Sequence, residues 1–224
     1  MREISFIDTN VSIAYVFSFD PFNDSSNIIF EEYDVITWSN LVKKEFKKVF
    51  KRKQKEIIDL FSFLFGFVEK SNMEFFNNHD LIRTGINDEL FKDNYADIKT
   101  AIHFFWQKYS FGDLVLKNDL LNAINSYLHD FNIESFNRRH NWLNNVNLSK
   151  KRVDGYENIN HKLLALGVHE PDNQIILDAH DYNMDLKKTV DFITFDRLCY
   201  ESVLSVNELM FNNVKTDSDF RIVF

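Results

Sequence analysis

A single cysteine, Cys199, stands among 224 residues, so no intramolecular disulfide can form and no Cys-rich zinc site can be built. That suits a reducing compartment. Glycine and proline are scarce, at five and two residues. So few turn formers argue against an all-β protein of short strands and sharp turns, and favour long helices. Long apolar runs are missing as well. The most apolar stretch, Ile57 to Val68, contains Asp59 and falls well short of the ~20 residues that span a bilayer. The opening segment MREISFIDTN carries Glu3 and an apolar run too short for a signal peptide. A cytoplasmic protein that does not engage membranes is the expectation. The seven histidines show no compact ligand spacing such as HExxH, which argues against zinc.

What is present is a large supply of core. Hydrophobic residues make up 45% of the chain, with 24 phenylalanines among them, enough to bury a sizeable interior. The formal net charge is −8, whereas a protein that holds nucleic acid by electrostatics alone is usually basic. An acidic total still accommodates a cluster of carboxylates whose charge is offset by bound cations. The distribution of charge therefore matters more than its sum.

Along the chain, Ile4 to Ile7 reads as a buried strand ending at Asp8, and Val11 to Phe17 as a helix. Pro21 and the cluster Asn23 to Asn27 read as a loop. Ser39 is placed to cap a long helix through Leu41, Val42, Glu45, Phe46, Val49 and Phe50. Further helical patterns run from Asp97 to Tyr109 and from Asp119 to Phe131, followed by a less regular basic segment from Asn137 to Asn160. A short helix from His161 closes at Gly167, and Pro171 with Asp172 opens another. Val190 to Thr194 is a second buried strand, again ending at an acid, Asp196. A helix over Arg197 to Met210 and a short strand over Phe220 to Phe224 complete the pattern. The ends of the chain supply the strands and the middle is helical. The expectation is an α/β fold, a central parallel sheet flanked by helices, with the sheet core drawn from about 1–50 and 160–224. A mostly helical insertion would occupy about 51–159 of a single domain. In an open parallel sheet the functional crevice lies outside the carboxyl ends of the strands, where Asp8 and Asp196 both fall.

Four short segments share a further likeness. Ile4 to Asn10 is an apolar strand delivering Asp8 ahead of a small polar residue and Asn. In SNLVKKE, Ser39 caps a helix with Glu45 in its second turn. In DNQIILDA, Asp172 opens a helix backed by Ile and Ala, and Phe192 to Asp196 is a strand running into Thr-x-Asp. In this order, with these flanks, the quartet resembles the PIN-domain family of metal-dependent ribonucleases. The resemblance covers roughly residues 1–50 and 160–210, with a spacing between Glu45 and Asp172 much longer than in the family's compact form. It implies a PIN-like three-layer sandwich and a metal-dependent phosphodiester hydrolase, most often an endoribonuclease. Asp8, Glu45, Asp172 and Asp196 would be its catalytic residues and ligands of Mg²⁺ or Mn²⁺. Thr9, Asn10 and Thr194 would hold those carboxylates or touch substrate. The family also leaves room for an inhibitory protein partner or a homodimer.

Such chemistry explains the residue types. Hard divalent cations take oxygen ligands, and carboxylates crowded without a cation repel and raise one another's pKa. The basic run Lys43, Lys44, Lys47, Lys48, Lys51 and Arg52 is a candidate path for nucleic acid, RNA above all; a solvated helix face is the plainer reading. Arg138, Arg139, Lys150, Lys151 and Arg152 form a second basic candidate. Trp38, Trp106 and Trp142 could stack on bases, although core packing is commoner. Asp178 and Asp181 are rival acids on the Asp172 helix, and Asp178, six residues on, turns away from that face. The rival to a nuclease is a non-catalytic PIN-like module that binds RNA or protein.

Overall fold

A computed structural model describes residues 4–87, 95–186 and 190–220. In chain order its elements are β1 (Ile4–Ile7), α1 (Thr9–Val16), α2 (Asn23–Glu32), β2 (Val35–Trp38), α3 (Asn40–Lys70), β3 (Phe75–Phe76), α4 (Asn78–Asn87), α5 (Tyr95–Lys108), β4 (Val115–Leu116), α6 (Lys117–Asn145), β5 (Val146–Leu148), α7 (Glu157–Ala165), α8 (Asp172–Leu186), β6 (Val190–Ile193), α9 (Arg197–Ser205) and β7 (Val214–Lys215), with a 3-10 turn at Asp217–Phe220. They fall into two compact units. One comprises residues 1–16, 22–49 and 140–224, the other 17–21 and 50–139.

The first unit is built on a five-stranded sheet in the order β5-β2-β1-β6-β7, and each neighbouring pair is parallel. Strands buried on both faces read as continuous apolar runs. Accordingly β1 (ISFI) and β6 (VDFI) are buried at each position. The register sets Ile4 beside Val35 on one side and Val190 on the other. β1 is thus central, and the chain's first strand stands next to one of its last. Trp142 packs on Tyr15, Phe30 and Trp38 with ring centroids 4.6 to 6.4 Å apart. Trp38 and Trp142 are core residues rather than base-stacking ones.

Several elements depart from the sequence expectation. The cluster Asn23 to Asn27, expected as a loop, begins α2. Its polar side chains turn inward: Asn23 Nδ2 donates to the carbonyls of Ala14 and Tyr15, and Ser26 Oγ donates to that of Val11. These acceptors lie in and at the end of α1, whose final carbonyls lack helical partners. Turn-forming residue types here serve a neighbouring helix end. Residues 146–148, expected within the insertion, form β5 and pair with β2. Three residues are too few to show an alternating pattern, and β pairing depends heavily on such tertiary context. The helix expected from Arg197 to Met210 stops at Ser205. Val206 turns extended there, and the chain returns so that Val214 can pair with Phe192. The expected strand Phe220 to Phe224 lies outside the described residues except for Phe220, which closes the 3-10 turn.

The second unit is helical, with a two-stranded antiparallel ribbon of β3 and β4. Ile57, Leu60, Phe61, Leu64 and Val68 of α3 are buried at the spacing of one helical face. Phe61 meets Tyr127 at 4.4 Å and Phe105 at 5.1 Å. The rest of the Ile57 to Val68 stretch is partly open, so burial is one-sided despite its apolar character. Gly85 faces this same α3 surface, where a Cβ would come within 3.2 Å of Leu60 Cδ1. Trp106 is also buried, its indole N–H donating to the Gly112 carbonyl at 3.0 Å.

Candidate functional site

The parallel sheet delivers two acids to one edge. The ladder between β1 and β6 continues one step further, as Asp8 N donates to the Ile193 carbonyl at 3.0 Å. Asp8 is therefore held at the end of β1, beside the segment Thr194–Asp196. Its carboxylate is buried and surrounded by donors. Thr194 Oγ1 donates to Oδ2 at 2.8 Å and Asn10 Nδ2 to the same oxygen at 3.1 Å, while Thr9 N donates to Oδ1. Asn10 reaches across the strands as well, accepting from Phe195 N at 3.1 Å. Thr194 Oγ1 also accepts from Asp196 N. Thr9, Asn10 and Thr194 thus bind the ends of β1 and β6 into one network.

The remaining acids arrive on helices. Ser39 caps α3, its hydroxyl accepting from Leu41 N and Val42 N. One turn into that helix, Glu45 Oε2 accepts from Thr9 Oγ1 at 2.6 Å. This contact ties Glu45 to the β1 end; among the described residues no ion pair with Lys48 competes with it. Asp172 is the first residue of α8, preceded by a cis Glu170–Pro171 bond. Asp196 caps α9 through Cys199 N, at 2.8 Å.

The charges of these acids act on one another: Glu45 and Asp172 on Asp8, and Glu45 and Asp196 on Asp172. Burial pushes Asp8 up to about 7, against the pull of the Thr194 and Thr9 hydrogen bonds, and the charges of Asp172 and Glu45 push it further. Burial, then Glu45 and Asp196, push Asp172 up to about 6. Cys199, buried behind them, has its thiol pushed up by burial and by Asp8, Asp172 and Asp196. Among the described residues, no three His, Cys, Asp or Glu side chains already stand close enough to hold an ion together. Like charges without a cation between them repel, and the acids share an edge without converging on a point. The donor set is all hard oxygen on a partly buried surface, which fits Mg²⁺ or Mn²⁺ rather than a soft metal.

The rival acids are engaged elsewhere. Asp178 is hydrogen-bonded to Ser39 and lies 3.5 Å from Arg152, and Asp181 accepts from Tyr156 at 2.9 Å. The basic candidates separate. Lys43, Lys44, Lys47 and Lys48 belong to the first unit, Lys51 and Arg52 to the second. Lys44, Lys47, Lys48, Lys51 and Arg52 are exposed and Lys43 is half-buried. Arg139 lies over the Phe50 ring at 5.1 Å in the second unit. Lys150, Lys151 and Arg152 follow β5 and join Lys44 around a pocket. Sequence reasoning missed that grouping because β5 itself was not recognised.

It also missed Asp191, a charged residue within the buried run of β6. Burial raises it, but hydrogen bonds from Tyr33, Asn212 and Asn213, with Lys215 beside it, leave it below the usual carboxylate range. Only an acid inside an apolar strand hinted at such a role.

No family model, curated protein or solved structure matches the chain.

Proposed function

We propose that this protein is a metal-dependent nuclease with a PIN-like sheet core, hydrolysing phosphodiester bonds of RNA at the carboxyl edge of the parallel sheet. The observation that carries the reading is a buried Asp8, pushed up to about 7, sharing one edge with three other acids and held by neutral donors. Buried carboxylates are ordinarily paired with cations. Here Thr194, Asn10 and Thr9 orient the carboxylate, and no Lys or Arg among the described residues neutralises it. An arrangement of that kind suits a cation brought from solution.

Asp8, Glu45, Asp172 and Asp196 would hold Mg²⁺ or Mn²⁺. When bound, the metal supplies Lewis-acid polarisation of the phosphoryl group and a lowered pKa for an attacking water. The protein's own contribution is positional. Thr194 and Asn10 restrain one oxygen of Asp8, leaving limited freedom to the carboxylate plane. Thr9, next to Asp8 at the same end of β1, restrains Glu45. Asp172, half-buried and with no side-chain hydrogen bond among the described residues, is left available, and a bound cation would offset the burial and the Glu45 and Asp196 charges that push it up.

Cleavage of a labelled RNA in Mn²⁺ tests the reading. Asp8→Asn preserves size and should lower the rate by at least ~100-fold while the protein still folds. Full activity in that variant would remove Asp8 from the site. A wild-type protein that cleaves neither RNA nor DNA but still binds RNA or a protein would instead be a non-catalytic module on the same fold.

A further inference from the structure

Beyond the acid cluster, the same edge of the sheet carries a second feature of opposite sign. β1 ends at Asp8, its neighbour β2 at Ser39, and the next strand, β5, at Ser149, whose N–H donates to the Trp38 carbonyl at 2.9 Å. Lys150, Lys151 and Arg152 follow at once. With Lys44 from the start of α3, they line a pocket of about 470 Å³ that includes Ser39 and Asp178. Adjacent strands lie ~4.8 Å apart. The pocket therefore opens roughly 10 Å along the edge from the end of β1.

The charge there is unbalanced. Four cations line the pocket against a single acid, in a chain whose total is −8. That acid, Asp178, is already matched by Ser39 and by Arg152 at 3.5 Å. Arg152 is braced in turn by the carbonyl and side chain of Gln174. Lys44 and Lys151 have no anionic partner among the described residues. Lys150 reaches Asp185 at 3.5 Å, but both are largely exposed, and a surface pair of that kind yields readily to a competing anion. A concave surface of one sign concentrates counter-ions.

The lining also limits what the anion can be. Among the described residues no aromatic side chain lines it to stack on a base. Two free ammonium groups beside a braced guanidinium suit phosphate oxygens. We infer that this pocket binds a phosphate of the substrate strand, a nucleotide or two from the bond addressed by the acid cluster, and does so without reading sequence. The inference rests on the nuclease reading for the identity of the strand, but strand binding can be measured apart from cleavage.

The test uses the full chain carrying Asp8→Asn, with a 12-nucleotide fluorescent single-stranded RNA followed by anisotropy across a salt series. Adding Lys44→Ala and Lys151→Ala should weaken binding ~10-fold or more and reduce the salt slope by about one to two. A charge-matched control, Arg83→Ala with Lys99→Ala on exposed positions of the other unit, should bind as the parent does. Unfolding curves matching the parent exclude a folding defect. Equal binding by the two double variants, or no RNA binding by the parent, would overturn the inference. So would inorganic phosphate or a mononucleotide displacing the RNA at concentrations near the RNA's own Kd, since the pocket would then be a small-anion site. Hydrolysis of bis(p-nitrophenyl) phosphate by the wild-type protein in Mn²⁺ reports the acid cluster alone. Its absence would sink the nuclease reading and leave the binding result standing.

Discussion

Thr9 donates its hydroxyl to Glu45 at 2.6 Å while its backbone N–H faces Asp8, so one small residue addresses two of the four acids. Thr9→Val keeps the shape and the backbone donor but frees Glu45. Loss of a partner that orients a metal ligand typically costs 10–100-fold in metal affinity or activity. We expect Mn²⁺ titration of Thr9→Val to show weaker binding in that range, and Thr9→Ser to recover most of it. A structural role alone would lower Tm without moving the metal titration. At this same scale the flanking patterns single out Asp8, Glu45, Asp172 and Asp196 in the sequence; in the structure the charges of Glu45 and Asp172 act on Asp8, and those of Glu45 and Asp196 on Asp172. Asp191 was invisible because its partners, Tyr33, Asn212, Asn213 and Lys215, come from distant segments.

Among the elements, Asp191 is the joint that holds the sheet's far edge. Tyr33, just before β2, donates to it at 2.7 Å, as does Asn212, while Asn213 donates at 3.0 Å and Lys215 of β7 lies at 3.4 Å. Truncation to Ala would leave those groups without their acceptor, at a cost on the order of 2–3 kcal/mol. For a chain of this size that is a Tm lower by roughly 5–10 °C. Because the folded value of Asp191 lies below the ordinary one, its contribution is complete at neutral pH and fades only as pH falls through the acid range. The Tm difference between wild type and Asp191→Ala should therefore shrink on acidification. An unchanged Tm at neutral pH would deny it this role. Long elements such as β1, β6 and α3 were legible from apolar runs and caps. β5 and β7, of three and two residues, were not, since pairing with β2 and β6 rather than local pattern creates them. α2 was hidden by turn-forming residues whose side chains are spent on the carbonyls of α1.

For the molecule as a whole, the raised acids make stability depend on pH, and the proposed site would make it depend on metal as well. The folded values of Asp8 and Asp172, about 7 and 6, lie above those of an unfolded chain. The favourable contribution is thus complete below about pH 4 and is lost as pH rises through those values. In chelator, Tm should fall between pH 5 and pH 8, by up to a few kcal/mol of stability from Asp8. On the proposed reading Mn²⁺ would bind only the deprotonated acids, so it should raise Tm at pH 8 and do little at pH 5. Asp8→Asn should flatten the chelator profile. A profile in chelator that rises with pH would contradict the assignment. Among the described residues no helix is long and apolar enough to cross a membrane.

The central position of β1 has a consequence for how the protein is made. Its two neighbours are β2, which follows within a few dozen residues, and β6, where Ile4 must find Val190. Contacts so remote in sequence slow folding, because a long loop must close before they reward it. During synthesis, β1 and β2 emerge early, with one flank of β1 unsatisfied until residues 190–193 leave the ribosome. Asp8 and Glu45 are present from the start, but Asp172 and Asp196 come only with the last third. A nascent or prematurely terminated chain therefore carries half of the acid cluster. On the proposed reading, a chain that stops short of β6 would lack Asp196 and the partner strand that fixes the end of β1, and would be expected to cleave nothing.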